Sequence, residues 1–415
     1  MAFDHKSLFP IFKEHPSLIY LDHAATSQKP QVVIDRMSDY LEMSNGSPHR
    51  GSHLLSVRST ELYDTGRQRV ADFIGANRPE EIVFTKNATE ALNLIAYSYG
   101  RSNLSSGDEI VIAITSHHSN IVPWQMVAKE TGAVLKYLYT DQQGVFLEGE
   151  LNKITNRTKI VTFPWISNGL GCIHDASALI ELAHKFGALA VVDAAQAVGH
   201  MQVDVVQLNA DFLVFSGHKM YGPTGIGVLY GKYEHLKAMP PFLYGGDMIE
   251  YVEEQTTTYA AVPERFEAGT QHVEGVVGLI AAMEFIESIG VANIRQKEHR
   301  ISQYAVDRLS RLPFVKVWGP AKGKERGALV AFEVEGIHPH DVASLLDEKG
   351  VAIRAGHHCT QPMMRHLGIS ASCRASFSIY NHIEEVDALI EALHYVREVF
   401  GYVNGKDVHR TDINA

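Results

Sequence analysis

The sequence predicts an α/β protein, with a large, mainly parallel sheet covered by helices and a smaller α+β unit after it. Three observations carry this. From about residue 80, short apolar runs recur at 82–84, 110–114, 134–139, 160–163, 189–193, 212–215 and 226–230. Helical stretches such as 89–99 and 176–186 lie between most of them. Strands that are apolar throughout, and that alternate with helices, indicate a parallel sheet covered on both faces. Third, the character changes near residue 290. A long amphipathic helix is expected over 291–312, with Ile294, His299 and Leu309 marking its spacing. Strands at 329–334, 351–354 and 375–379 follow, with helices near 340–348 and 383–400. The expected division is 21–290 for the large unit, and 1–20 with 291–415 for the small one.

Composition bounds the function. The chain has 415 residues, 45% hydrophobic and 20% charged, enough for a large core in two or three domains. The net charge of −11, from 37 basic and 48 acidic side chains, argues against a nucleic-acid or anionic-membrane surface. Three cysteines do not make a disulfide framework, so a reducing, cytoplasmic setting is expected. Charges sit where a signal peptide needs its apolar core, and no apolar run has the length of a membrane span. The tail from Asn404 to Ala415 is polar and expected to fray.

Ser216-Gly217-His218-Lys219 is the most informative stretch. It follows the apolar run 212–215 and precedes a segment rich in glycine. A lysine at a buried strand end is costly in its charged form, and that same desolvation makes its amine nucleophilic. The alternative is a lysine that reaches solvent. Asp193 ends a second apolar run, with Gln196 three residues later. Asp193 read alone is a cap after a strand. Read with Lys219, it is the acid that pairs with the ring nitrogen of pyridoxal 5′-phosphate (PLP), Lys219 holding the aldehyde and Gln196 reaching the phenolic oxygen.

Other residues fit around that pair. Ala88 and Thr89 open a helix after a strand and offer N–H groups and a hydroxyl to a phosphate, with Ser216 and His218 as further donors. The alternative is a simple cap. His117, after a strand, suits stacking on a planar ring or moving a proton; a satisfied strand-end histidine competes, since 22 histidines make chance pairs common. Cys359 closes the run Arg354-Ala355-Gly356-His357-His358-Cys359, whose cations favour a thiolate. An inert thiol, or zinc held by His357, His358 and Cys359, competes, but no second ligand pair with metal spacing follows. Cys172 and Cys373 read as packing residues. Arg374 suits a carboxylate clamp, with a surface ion pair as its alternative.

These motifs resemble the PLP-dependent cysteine desulfurases of the aminotransferase class V family, in the SufS-like branch. The matching words span nearly the whole chain. They include 21–25, 45–51, 117–124, 166–169, 192–196, 216–219 and 354–359. The resemblance implies a type I aminotransferase fold and a homodimer. It makes Lys219 the lysine that anchors PLP and Cys359 the persulfide-forming residue. Asp193, Gln196 and His117 become ring contacts, and Ala88, Thr89, Ser216 and His218 phosphate contacts. Thr270 is implied to reach the partner subunit's phosphate. Asn168 and Arg374 are implied to bind substrate, with His49 and Arg50 near the site. No metal is implied. The implied reaction takes sulfur from L-cysteine, leaving L-alanine and a Cys359 persulfide. A SufE-like or SufU-like acceptor would then pass the sulfur to iron–sulfur cluster assembly, and few residues separate Arg354 from Cys359, so the acceptor comes to the site. Selenocysteine lyase is the nearest rival. An aminotransferase, a kynureninase-like hydrolase and a non-catalytic scaffold on this fold are the others. Two words depart from the family's commonest form: Lys86-Asn87-Ala88-Thr89, which leaves the Ala88 contact to backbone, and Asp247 where Glu is common.

Overall fold

The computed structural model describes residues 4–402, so the expectation for the tail from Asn404 lies outside the described residues. A seven-stranded sheet forms the centre. Its order is Ile82–Thr85, Gly227–Gly231, Phe212–Ser216, Leu189–Asp193, Thr158–Pro164, Glu109–Ala113 and Val134–Leu138. Gly227–Gly231 runs antiparallel to both neighbours; the remaining pairings are parallel. Side chains alternate between faces, so each strand feeds two cores. Leu213 and Phe215 join one cluster while Phe212 and Val214 join the other. That double burial explains why these strands read as unbroken apolar runs.

A second, antiparallel sheet follows, in the order Val315–Trp318, Leu329–Val334, Ser372–Ser376, Arg354–Gly356. The helices Val291–Ser310, Pro339–Glu348 and Ile383–Val399 contribute to its core, with Leu309, Leu346 and Leu393 fully buried. Ile19–Tyr20 pairs in parallel with Val351–Ala352, and Asp22 bridges Ser376. Phe9 instead packs against Tyr221, Phe285 and Tyr380. The N-terminal segment therefore packs on one core of the first sheet, through Phe9, and on that of the second, through Leu21.

The structure corrects several expected bounds. The strand expected at 351–354 divides, because Val351–Ala352 pairs with the N-terminus and Arg354–Gly356 with Ser372–Ser376. The strand expected at 375–379 lies at Ser372–Ser376. Its polar Ser372, Arg374 and Ser376 are all buried, so hydrophobicity did not mark it. The helix expected over 89–99 is α-helical only over Ala88–Leu94 and then widens into a π-turn over Ile95–Gly100.

The Leu54–Ile74 helix is tied to the first sheet by a buried ion pair. Arg67 donates from both terminal nitrogens to Glu267, at 2.7 Å each, and Nη1 also to Ile82 O at 2.7 Å. Tyr63 Oη and the Phe84 N–H donate to the same carboxylate. Removing one partner strands the other charge in the core. Glu267→Gln is therefore expected to cost about 3–5 kcal/mol, read as a lowered midpoint in denaturant unfolding.

Candidate active site

A cavity of about 250 Å³ lies where the strands of the first sheet end, closed by the second sheet. In open α/β sheets this end of the strands is where ligands bind. Asp193 closes one strand and Ser216 the next, and Lys219 sits one 3₁₀ turn beyond Ser216. Arg354, Cys359 and Arg374 come from the second sheet and its loop.

Lys219 lines the cavity. Burial holds its amine down at about 8, with Asp193 pulling upward and Arg374 and Arg354 adding repulsion. Asp193 is only 6% exposed, and burial raises its carboxyl, against the Ala195 N–H, which donates at 3.0 Å, and the charge of Lys219. The two groups thus push each other toward charge while burial pushes both toward neutrality. Gln196 donates one amide hydrogen to Ala24 O at 2.7 Å and lines the same cavity.

His117 is held down to about 3 by burial and by Lys219. The Ser119 N–H donates to its Nδ1 at 3.1 Å, so the neutral ring carries its proton on Nε2. A ring so far below neutral pH is a flat neutral surface and a donor, and a poor base. Ala88 and Thr89 open the Ala88–Leu94 helix, capped by Asn87, whose Oδ1 accepts from Glu90 N at 3.0 Å. The Ala88 N–H donates to Ser216 Oγ at 2.9 Å, and Thr89 Oγ1 lies 2.7 Å from Ser119 Oγ. His218 is held down to about 4, first by burial and then by Lys219 and Lys29.

Cys359 is a half-buried free thiol lining the cavity. It and His358 lie in the left-handed region, at φ 56° and 50°. Strain of this kind clusters at functional sites. His358 turns away, its Nε2 3.1 Å from both Ser372 O and Ser372 Oγ, and burial holds it at about 3. This corrects one expectation: held so low, the His358 ring carries no positive charge at neutral pH. Among the described residues no three His, Cys, Asp or Glu side chains gather as metal ligands. Cys172 and Cys373 are buried, and burial pushes both thiols up, Cys172 to about 12.

Arg374 is 2% exposed and lines the cavity. Nη1 donates to Asn168 O at 3.0 Å and Nη2 to Asp22 Oδ1 at 3.1 Å, while Nε has no partner. Asn168 also donates from Nδ2 to His358 O at 2.7 Å. Asp22, Ser119 and His118 are functional neighbours that residue-by-residue reading passed over. All three fall within the matching words 21–25 and 117–124, but nothing in their spacing revealed the partners they meet.

Three expected residues stand outside this cavity. Thr270 lines a separate one of about 180 Å³, with Lys86, Glu267 and His272. His49 packs edge-on against Tyr63, with ring centres 5.7 Å apart. Arg50 forms an ion pair with Asp247. The acid at position 247 thus has a partner, despite its departure from the commoner Glu.

The aminotransferase class V family model matches residues 19–389. A probable cysteine desulfurase of Halalkalibacterium halodurans is 48% identical over 406 residues, covering 97% of this chain and 99% of that one. The solved structure of a cysteine desulfurase from Thermococcus onnurineus superposes with a TM-score of 0.91 at 41% identity, covering 95% of this chain and 98% of that one. The cysteine desulfurase CsdA of Escherichia coli superposes with a TM-score of 0.88 at 38% identity, with the same coverage.

The burial of Lys219 has a pH signature. Only the neutral amine condenses with a carbonyl, so the rate at which an aldehyde reagent labels Lys219 should rise through about pH 8 and level off above it. Borohydride trapping and peptide mass spectrometry measure this. A rise displaced to pH 10 would mean that the amine is not desolvated.

Proposed function

The chain belongs to the aminotransferase class V family, and on that premise we propose that Lys219 and Cys359 divide its chemistry, one acting at the amino acid's Cα and the other at its sulfur. The activity is that of a PLP-dependent cysteine desulfurase: sulfur leaves L-cysteine and L-alanine remains. The single observation that carries the division of roles is that Lys219 and Cys359, from different sheets, line one cavity.

The residues present fit PLP. Asp193 is a buried carboxylate whose raised pKa a cationic ring N–H would offset. Lys219 supplies the amine for the aldehyde, Gln196 an amide donor, and His117 a neutral face for stacking. Ala88, Thr89, Ser216 and His218 line the same cavity and would take the phosphate. When bound, PLP supplies a sink for the electron pair left at Cα. Lys219 Nζ, neutral above about pH 8, takes the Cα proton and returns it. Arg374 and Asn168, which both line the cavity, hold the substrate carboxylate. Cys359 Sγ, as thiolate, attacks the substrate sulfur. The Sγ–S bond forms as the Cβ–S bond breaks, and the electron pair stays on Cβ, which takes a proton to become the methyl group of alanine. The sulfur remains as a Cys359 persulfide.

The persulfide then passes to an acceptor of SufE or SufU type for iron–sulfur cluster assembly. The short, tethered Cys359 loop supports delivery at the site rather than by a swinging arm. Selenocysteine, with its weaker carbon–chalcogen bond, suits the same groups. A homodimer accounts for Thr270 standing outside the chain's own cavity, where it would serve the partner's phosphate; His49 and Arg50 fall on the same reading. Exposed Leu41, Met43, Leu54, Leu55 and Val57 supply an apolar face for such a contact. Residues 21–290, and 1–20 with 291–415, form the two units. The core that joins Leu21 to residues between 301 and 396 supports that division, although Phe9, Ile294, Ile379 and Tyr380 pack in a core of the first sheet, and Ile114 and Leu170 share a smaller cluster with Trp318 and Met363. A cytoplasmic site agrees with the three free cysteines, and no single described helix is long and apolar enough to cross a membrane.

Two variants test the roles. Lys219→Ala should lose the visible absorbance of covalently held PLP; an unchanged spectrum removes the lysine from that role. Cys359→Ser should keep that absorbance yet lose alanine release from L-cysteine by about a hundredfold or more, measured by amino-acid analysis. Full turnover in that variant would take the nucleophile elsewhere.

A further inference from the structure

His117 and His118 are adjacent but serve different neighbours. His117 lines the cavity, whereas His118 holds the loop that carries Cys359. The His118 N–H donates to Cys359 O at 2.8 Å. Its Nε2 accepts from the Gln361 N–H at 3.1 Å. Gln361 opens the Gln361–Leu367 helix, and the preceding Thr360 gives that helix no side-chain cap. The first N–H groups of a helix have no partner within it. His118 supplies one from 243 positions away. The backbone held this way is strained, with His358 and Cys359 both left-handed. Such strain persists only where the surroundings enforce it. Burial, with His357 beside it, holds the His118 ring below its ordinary value, which keeps Nε2 open as an acceptor.

We propose that His118 is a positioning residue for Cys359: by gripping Cys359 O and the Gln361 N–H together, it fixes the thiol relative to the ring pocket that begins one residue earlier. The proposal rests on Cys359 being the nucleophile of the preceding section. The grip itself does not depend on that reading.

The test compares holoenzyme carrying His118→Ala with holoenzyme carrying His118→Gln, whose amide oxygen can accept in place of Nε2. Three quantities are read: PLP content, the rate of Cys359 alkylation by iodoacetamide, and kcat and KM for alanine formation. His118→Ala is expected to keep its PLP and to alkylate about threefold faster or more, since a released loop opens more often. Its kcat is expected to fall about tenfold or more with KM unchanged, because a misplacement of about 1 Å costs up to about a hundredfold. His118→Gln is expected to move both rates back toward wild type. Wild-type alkylation and kcat in His118→Ala overturn the proposal. So does a glutamine variant no better than alanine, or loss of PLP in both variants, because the ring would then serve packing. If alkylation responds as expected while Cys359→Ser retains alanine formation, the positioning role stands and the nucleophile assignment fails.

Discussion

Burial of Lys219 beside Asp193 is the constraint on which the rest of the structure depends. An amine and a carboxylate taken out of water both resist charge, yet each stabilises the other's charged form. The balance leaves the amine at about 8, where it releases a proton readily, and leaves the acid raised and ready for a cationic partner. The large sheet makes this possible. Its strands are buried on both faces, so adjacent strands end in a protected crevice, and Asp193 and Ser216 arrive there at neighbouring positions. The neutral His117 and His218 follow from the same desolvation and the same nearby lysine.

The second sheet solves a different problem. It must bring a thiol and a guanidinium to the edge of that crevice and keep them there. Arg354 and Arg374 pair directly across adjacent strands, which sets two cations side by side. Asp22 and Asn168 meet Arg374 and offset part of that cost. From the same strand pair the chain turns through the left-handed His358 and Cys359, and the loops after Thr158–Pro164, through Asn168, and after Glu109–Ala113, through His118, tie the turn down. The backbone that carries Cys359 is thus held by contacts that cross between the two sheets.

Much of the first sheet was legible in the sequence. A strand buried on both faces must be apolar at every position, so 110–114 and 212–215 announce themselves. Ser372–Ser376 does not, because only Cys373 and Ala375 of its five buried residues are apolar, and the buried Ser372, Arg374 and Ser376 are made acceptable by partners elsewhere in the chain. The Val315–Trp318 edge strand also escaped notice, since it is short and half-exposed. The site shows the same split. Lys219, Asp193 and Cys359 were legible because their chemistry is costly without a purpose and their neighbours are distinctive. Asp22, Ser119 and His118 were not, because each works through a partner whose proximity no local pattern encodes.

The sequence by itself determined the fold class and marked the acid–lysine pair and the cysteine of the 354–359 run as candidates, because those follow from residue type, burial tendency and short spacing. Tertiary structure alone decided that a lysine and a cysteine 140 positions apart face one cavity. It decided that His358 is neutral and turned away, and that Thr270, His49 and Arg50 lie outside the chain's own pocket. The reason is physical: chemistry is carried by single side chains, whereas distance, desolvation and the sign of a neighbouring charge are properties of the packed chain.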